Sequence, residues 1–154
     1  RDERDAALKN YEQALKLFKE IGDKLGEANV LQAMGDVQQF RDERDAALKN
    51  YEQALKLFKE IGDKLGEANV LASQGKIYLV EDQKRAEEFL NQAIAIYEAV
   101  GSRYSVPAQI GNYGWALLQR GQKDRARPYL LKAAKLFEEI GLMDYAERHK
   151  KAAS

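Results

Sequence analysis

Apolar and small residues recur along this chain at the spacing of one helix face, and the same face is drawn four times. Its members are Ala7, Tyr11, Ala14 and Phe18; Ala47, Tyr51, Ala54 and Phe58; Ala86, Leu90, Ala93 and Tyr97; and Ala126, Leu130, Ala133 and Phe137. Each set follows i, i+4, i+7, i+11, which lays a stripe down an α-helix. The sets begin at 7, 47, 86 and 126, so they lie 40, 39 and 40 residues apart. A constant period in this range marks a repeat array. Between the long stripes runs a shorter helical pattern: Ala28, Leu31, Met34, Gly35 and Val37; Ala68, Leu71, Gly75, Tyr78 and Leu79; and Ala108, Gly111, Gly114, Leu117 and Leu118.

Gly35, Gly75 and Gly114 fall in register, each 11 or 12 residues before Ala47, Ala86 or Ala126. A glycine inside a helix costs about 1 kcal/mol against alanine, so three in register imply helices crossing too closely for a Cβ. Gly22, Gly62, Gly101 and Gly141 follow the long helices where a left-handed closing residue belongs. Asp23 and Asp63 stand ready to cap the next helix, and Asp42 with Asp45 resembles a weakened capping box. Ser105 before Pro107 fits a helix start, whereas Pro128 falls past the first turn and should loosen its helix. The pattern predicts helices at about 3–20, 25–39, 43–60, 65–80, 83–99, 105–119, 123–139 and 142–152. Short joints make neighbours antiparallel hairpins, and repeated hairpins stack into an all-α solenoid with a concave side.

Residues 1–31 and 41–71 are identical letter for letter. Packing constrains the apolar positions, yet exposed pairs such as Lys9/Lys49 and Glu12/Glu52 are also unchanged. Surface substitutions usually move stability by less than about 0.5 kcal/mol, so folding does not demand such identity. The duplication is either very recent or deliberate.

The 25 basic and 25 acidic residues cancel and are interspersed, which argues against nucleic acid as a partner. No apolar run is long enough to span a membrane and no apolar leader opens the chain, so no membrane partner is expected and the cytoplasm is the expected compartment. Opening on Arg1 rather than methionine suggests an excised or processed fragment. Cysteine is absent, which removes disulfides, thiolate nucleophiles and thiolate metal ligands.

Leu31, Met34 and Gly35 followed by Ala47, Tyr51, Ala54 and Leu55 resemble the tetratricopeptide repeat. Leu71, Gly75 and Tyr78 with Ala86, Leu90, Ala93 and Ile94 resemble its next copy, and Gly114, Leu117, Ala126, Leu130, Ala133 and Ala134 a third. The resemblance covers nearly the whole chain. Its period departs from the family's usual one by several extra residues, a long variant similar to the repeats of kinesin light chain and of bacterial signalling and transcription regulators. The resemblance implies a right-handed α-α superhelix of stacked antiparallel hairpins in a single domain, 1–154. Helix pairs occupy 23–62, 63–101 and 102–141, with an unpaired closing helix at 1–22 and a short terminal helix at 142–154. Each pair has a shorter opening helix and a longer closing helix.

The resemblance also implies a non-catalytic scaffold that binds a protein or peptide segment on the concave face of its opening helices. Carried over position by position, that face comprises Asn29, Gln32, Asp36 and Gln39; Asn69, Ala72, Lys76 and Leu79; and Ala108, Gly111, Trp115 and Leu118. Only Lys76 supplies a cation among these positions, so a clamp for a terminal carboxylate is not expected. Trp115 follows Gly114 by one position, which turns it toward the concavity or the groove between units. Exposure as a binding anchor and burial beneath the last helix both remain open.

The two ends of the chain read as complementary halves. Residue 1 opens a closing helix, and Leu142, Tyr145 and Ala146 form the short stripe of an opening helix. Apolar surface is expected at both, which allows copies to associate through their ends; a monomer with one frayed end is the alternative. The chain carries no catalytic pattern. His149, the single histidine, reads as a surface residue near a helix end. The Glu-x-x-His spacing of carboxylate metal sites is absent, and no second histidine or serine is patterned around it. Gly111 and Gly114 read as packing glycines rather than a phosphate loop. No metal, cofactor or enzymatic activity is expected.

Overall fold

A computed structural model describes residues 2–154, and eight α-helices joined by short turns account for them. They are α1 (Asp2–Ile21), α2 (Lys24–Phe40), α3 (Arg44–Ile61), α4 (Lys64–Ile77), α5 (Gln83–Ala99), α6 (Ser105–Gln119), α7 (Lys123–Glu139) and α8 (Met143–Ala153). They form two compact units, α1 to α4 ending at Ile77, and a second from Tyr78 to Ser154.

In the first unit α2 packs against both α1 and α3, and α4 against α3. The duplicated sequence closes both hairpins in the same way. Gly22 and Gly62 adopt φ of 74° and 75°, and Asp23 and Asp63 then accept the N–H of Gly26 and Gly66 at 2.9 Å. The aromatic stripe completes each joint. The ring of Phe18 lies where a Cβ on Gly26 would sit, and Phe58 does the same to Gly66. Ala28, Leu31, Ala47, Tyr51, Ala54, Phe58 and Val70 make the core of this unit. Burying each large member contributes about 1.5–3 kcal/mol.

A Cβ on Gly35 would lie 2.6 Å from Cε1 of Tyr51, and one on Gly114 2.9 Å from Cγ of Leu130. Tyr51 and Leu130 hold the same place in their stripes, four residues after Ala47 and Ala126. The same backbone approach is therefore built twice, once in each unit. Gly75 is buried in α4, and Ala47, Ala86 and Ala126 are fully buried.

In the second unit α6 packs on α5 and α7, and α7 on α8. Ile110, Ala133, Phe137 and Ala146 form its core cluster. Pro128 stands inside α7, which runs unbroken from Lys123 to Glu139. Its missing N–H falls on an exposed stretch of the helix, so continuity is preserved.

Two local expectations need correction. Asp42 does not cap α3. It sits at φ 58° in the turn after α2, and Glu43 takes the cap position without a side-chain bond. The matching turn before α7 has Gly121 at φ 74°; the chain needs a left-handed residue there, and aspartate tolerates it better than most. Helix α4 stops at Ile77, not near 80. Gly75 to Ala86 is one residue shorter than Gly35 to Ala47, and Asp82, bonded to the Tyr78 carbonyl at 3.0 Å, already caps α5.

Candidate functional site

Helix α6 contains no charged residue. Tyr104, Ala108, Asn112 and Trp115 recur on it at spacings of four, four and three, so they share one face with its N-cap. Tyr145, Arg148 and His149 do the same on α8. Phe137 of α7 closes the floor, and together these residues line a cavity of about 310 Å³.

The aromatic rings hold one another. Phe137 stacks on Tyr145 at 5.2 Å, Tyr104 meets Tyr145 edge-on at 6.0 Å, and Trp115 stands 6.2 Å from His149. A hydrogen bond to Tyr145 and, second, burial raise the Tyr104 pKa above its ordinary value. Arg148 is the one charged lining residue, its guanidinium 5.6 Å over the Tyr145 ring. Trp115 is 40% exposed, which settles its placement: it forms part of the cavity wall and also faces solvent. A cavity walled by Trp, Tyr and Arg, with Asn112 as an amide donor and acceptor, has the composition of an interface anchor site.

His149 is not the surface residue expected from its position. It is 7% exposed, and its Nδ1 lies 2.6 Å from the Tyr145 carbonyl oxygen. A carbonyl only accepts, so Nδ1 carries the proton. The other side of the ring lies against Gly111, where a Cβ would collide with Nε2. Gly111 therefore makes room for the imidazole rather than for a ligand.

The remaining candidate positions separate by unit. On the first unit Asp36 and Gln39 accept hydrogen bonds from the Tyr51 hydroxyl at 2.6 and 2.9 Å. Loss of water raises the Asp36 pKa, opposed by Tyr51, the Lys76 charge and Ser73. Burial lowers the Lys76 pKa, and Asp36 acts in the opposite direction. Burial, followed by the Asp36 charge, raises the Tyr51 pKa. Asn29 and Asn69 are exposed on α2 and α4, Gln32 is half-buried and Ala72 is buried. Leu79 lies past the end of α4 and is 2% exposed, so it is packed and offers no surface. Ala108 and Trp115 reach the cavity, while Leu118 is half-buried away from its lining. Sequence reasoning missed Tyr104, Asn112 and Arg148 as lining residues. The four-residue steps either side of Ala108 would have found the first two.

Among the described residues no group of three or more histidines and carboxylates could hold a metal ion. No described helix is long and apolar enough to cross a membrane.

Stacked helix hairpins with glycines at the crossings define a helical-repeat protein. The tetratricopeptide repeat family matches residues 1–60, 42–99 and 110–139, and the chain belongs to it. Its repeats are non-catalytic scaffolds. Among solved structures, one described as the apo form of RapI is similar with a TM-score of 0.64 at 14% identity. That match covers 98% of this chain and 61% of the RapI chain, so this chain spans less than two thirds of its relative's length. No curated protein matches the chain.

Proposed function

We propose that the chain is a non-catalytic protein-binding scaffold whose α6–α8 cavity receives an aromatic or branched aliphatic side chain of a partner segment. One observation carries this reading. Trp115 and Tyr145, both partly exposed, wall a cavity beside a single cation, with an uncharged helix behind them. On the first unit, Asn29, Gln32, Asp36, Gln39, Asn69 and Lys76 are proposed as a binding face of their own. The repeat units are 23–62, 63–101 and 102–141, a division supported by the register of glycines and capping aspartates. The long period supports kinship with the kinesin light chain and bacterial regulator type, and the duplicated stretch supports a recent or engineered doubling of one unit. The cytoplasm is the proposed compartment.

Trp115 is the chain's only tryptophan, so it reports occupancy directly. Peptides selected from a displayed random library against the whole chain should shift its emission on binding. Arg148→Ala and Tyr145→Ala should weaken them at least tenfold while the thermal melt stays cooperative. Selected peptides that bind both variants as tightly as the parent chain would place the site elsewhere.

A further inference from the structure

We propose that the groove between the α5–α6 joint and the end of α7 binds a lysine or arginine side chain from a basic segment of a partner protein. Its floor is apolar and anchored. Val106, Leu136 and Ile140 are half-buried and pack on the core cluster of the second unit, and Pro107 beside them is fully buried. The groove encloses about 280 Å³. Its rim is mainly acidic. Glu98, in the last turn of α5, and Glu139, the last residue of α7, both line it and both are exposed. Glu138, next to Glu139, pairs with Lys150, whereas Glu98 and Glu139 make no ion pair or hydrogen bond among the described residues.

The first unit shows what such a corner holds when the chain completes it. Gly22, Gly35 and Phe58 correspond at one constant offset to Gly101, Gly114 and Phe137, which pairs Lys24 with Arg103, Glu60 with Glu139, Lys19 with Glu98 and Glu27 with Val106. In the first unit Lys24 Nζ lies 3.4 Å from Glu60 Oε2. A lysine of the chain itself thus meets the carboxylate. The second unit keeps the carboxylate, but Arg103, the one cation lining the groove, makes no ion pair with it among the described residues. The cause is the loss of a cap. Asp23 caps α2, so the helix starts at Lys24. Ser102 stands in its place, its hydroxyl lies 2.6 Å from that of Ser105, and Tyr104 gives no side-chain cap. Helix α6 therefore begins only at Ser105 and leaves Arg103 in the preceding turn.

The exchanges between the units also set the chemistry of the occupant. Lys19, Lys24, Glu27 and Glu60 balance, whereas Glu98, Arg103 and Glu139 leave an excess of negative charge beside an apolar floor widened by valine in place of glutamate. An exposed ion pair alone contributes little. A lysine or arginine adds an aliphatic stem that loses water against Val106, Leu136 and Ile140 while its head stays between the carboxylates. A neutral apolar side chain would forgo the carboxylates, and an acidic one would be repelled by them.

The probe is the peptide acetyl-Gly-Lys-Gly-amide, titrated into the ¹⁵N-labelled full chain. For one side chain in one groove the expected Kd is about 1–10 mM, with the amide signals of Gly101, Ser102, Val106, Glu139 and Ile140 moving on one saturation curve. Those of Asn112 and Trp115 should stay in place, which separates this groove from the α6–α8 cavity. Norleucine in place of the lysine keeps the stem without the charge, and diaminopropionate keeps the charge without the stem. Each should bind about fivefold more weakly or not at all. Glu98→Gln combined with Glu139→Gln should weaken the lysine peptide by about fivefold with an unchanged melt, and Glu12→Gln, a carboxylate elsewhere, should not. Absence of saturation at tens of millimolar, equal binding of the norleucine peptide, or indifference to the double variant overturns the proposal. So does dimerisation of the chain alone that the double variant abolishes, since the cation would then come from a second copy.

Discussion

Tyr11→Ala and Tyr51→Ala form a matched pair that few natural proteins offer. Each substitution removes the same atoms from the same sequence, residues 1–31 or 41–71. Helix propensity and local residual structure in the unfolded chain therefore largely cancel in the comparison. What differs is the neighbour. Tyr51 is fully buried, its ring against the Gly35 backbone and its hydroxyl given to Asp36 and Gln39. Emptying such a site should cost about 3–5 kcal/mol, the transfer and cavity terms together. Tyr11 is half-buried, so roughly half the transfer term and little cavity remain, about 1–2 kcal/mol. The expected gap is about 2–3 kcal/mol. Urea unfolding followed by far-UV circular dichroism measures both variants, with Trp115 fluorescence reporting the second unit alongside. Agreement of the two costs to within about 0.5 kcal/mol, or a larger cost at Tyr11, would refute the reasoning that the preceding helix, not the stripe itself, creates the burial.

Gly35→Ala gains helix propensity of about 1 kcal/mol but drives a Cβ to 2.6 Å from a ring whose hydroxyl is tethered. The expected net loss is about 1–2 kcal/mol, and a stabilised variant in the urea titration would contradict the close crossing. Asp63→Ala should cost about 0.5–2 kcal/mol by freeing the Gly66 N–H, with an unchanged melting temperature as the contrary result. The Asp36 pKa is raised above its ordinary 3.8, so the folded state binds more protons between 3.8 and the raised value. The Asp36 contribution to stability is therefore present below that window and is lost as pH rises through it. The stability of the parent chain relative to Asp36→Asn should fall from pH 3 toward neutrality in parallel thermal melts. A relative stability that climbs over this range would reverse the assigned sign.

Much of the architecture was legible because its signals are local. A stripe at i, i+4, i+7, i+11, a closing glycine and a capping aspartate all act within one or two turns, and most helix ends fall within one or two residues of the pattern's prediction. Where the prediction slipped, a non-local term decided. Helix α4 ends early because a one-residue-shorter joint lets Asp82 cap α5 sooner. The fate of His149 depends on Gly111, a residue far away in sequence on another helix. The cavity was half legible for the same reason. Trp115 and Ala108 follow from the repeat register, whereas Arg148 becomes a lining residue only because α8 buries Ala146, His149 and Ala153.

The duplicated stretch sharpens this limit. Residues 4–31 and 44–71 share every propensity and stripe, and both fold into the same helix–turn–helix, down to the 2.9 Å bond that each aspartate accepts from the N–H three residues on, whereas Asp2 and Glu3 are helical and Asp42 and Glu43 lie in the turn before α3. Their cores nevertheless differ, since Leu57 packs against the buried cluster while Leu17 stands in solvent. Local sequence thus sets which face is apolar, and the helix packed beside it sets how deeply that face is buried. The cavity residues of α6 and α8 are likewise set by what lies beside them, which is why the proposed binding there rests on neighbours and not on motifs.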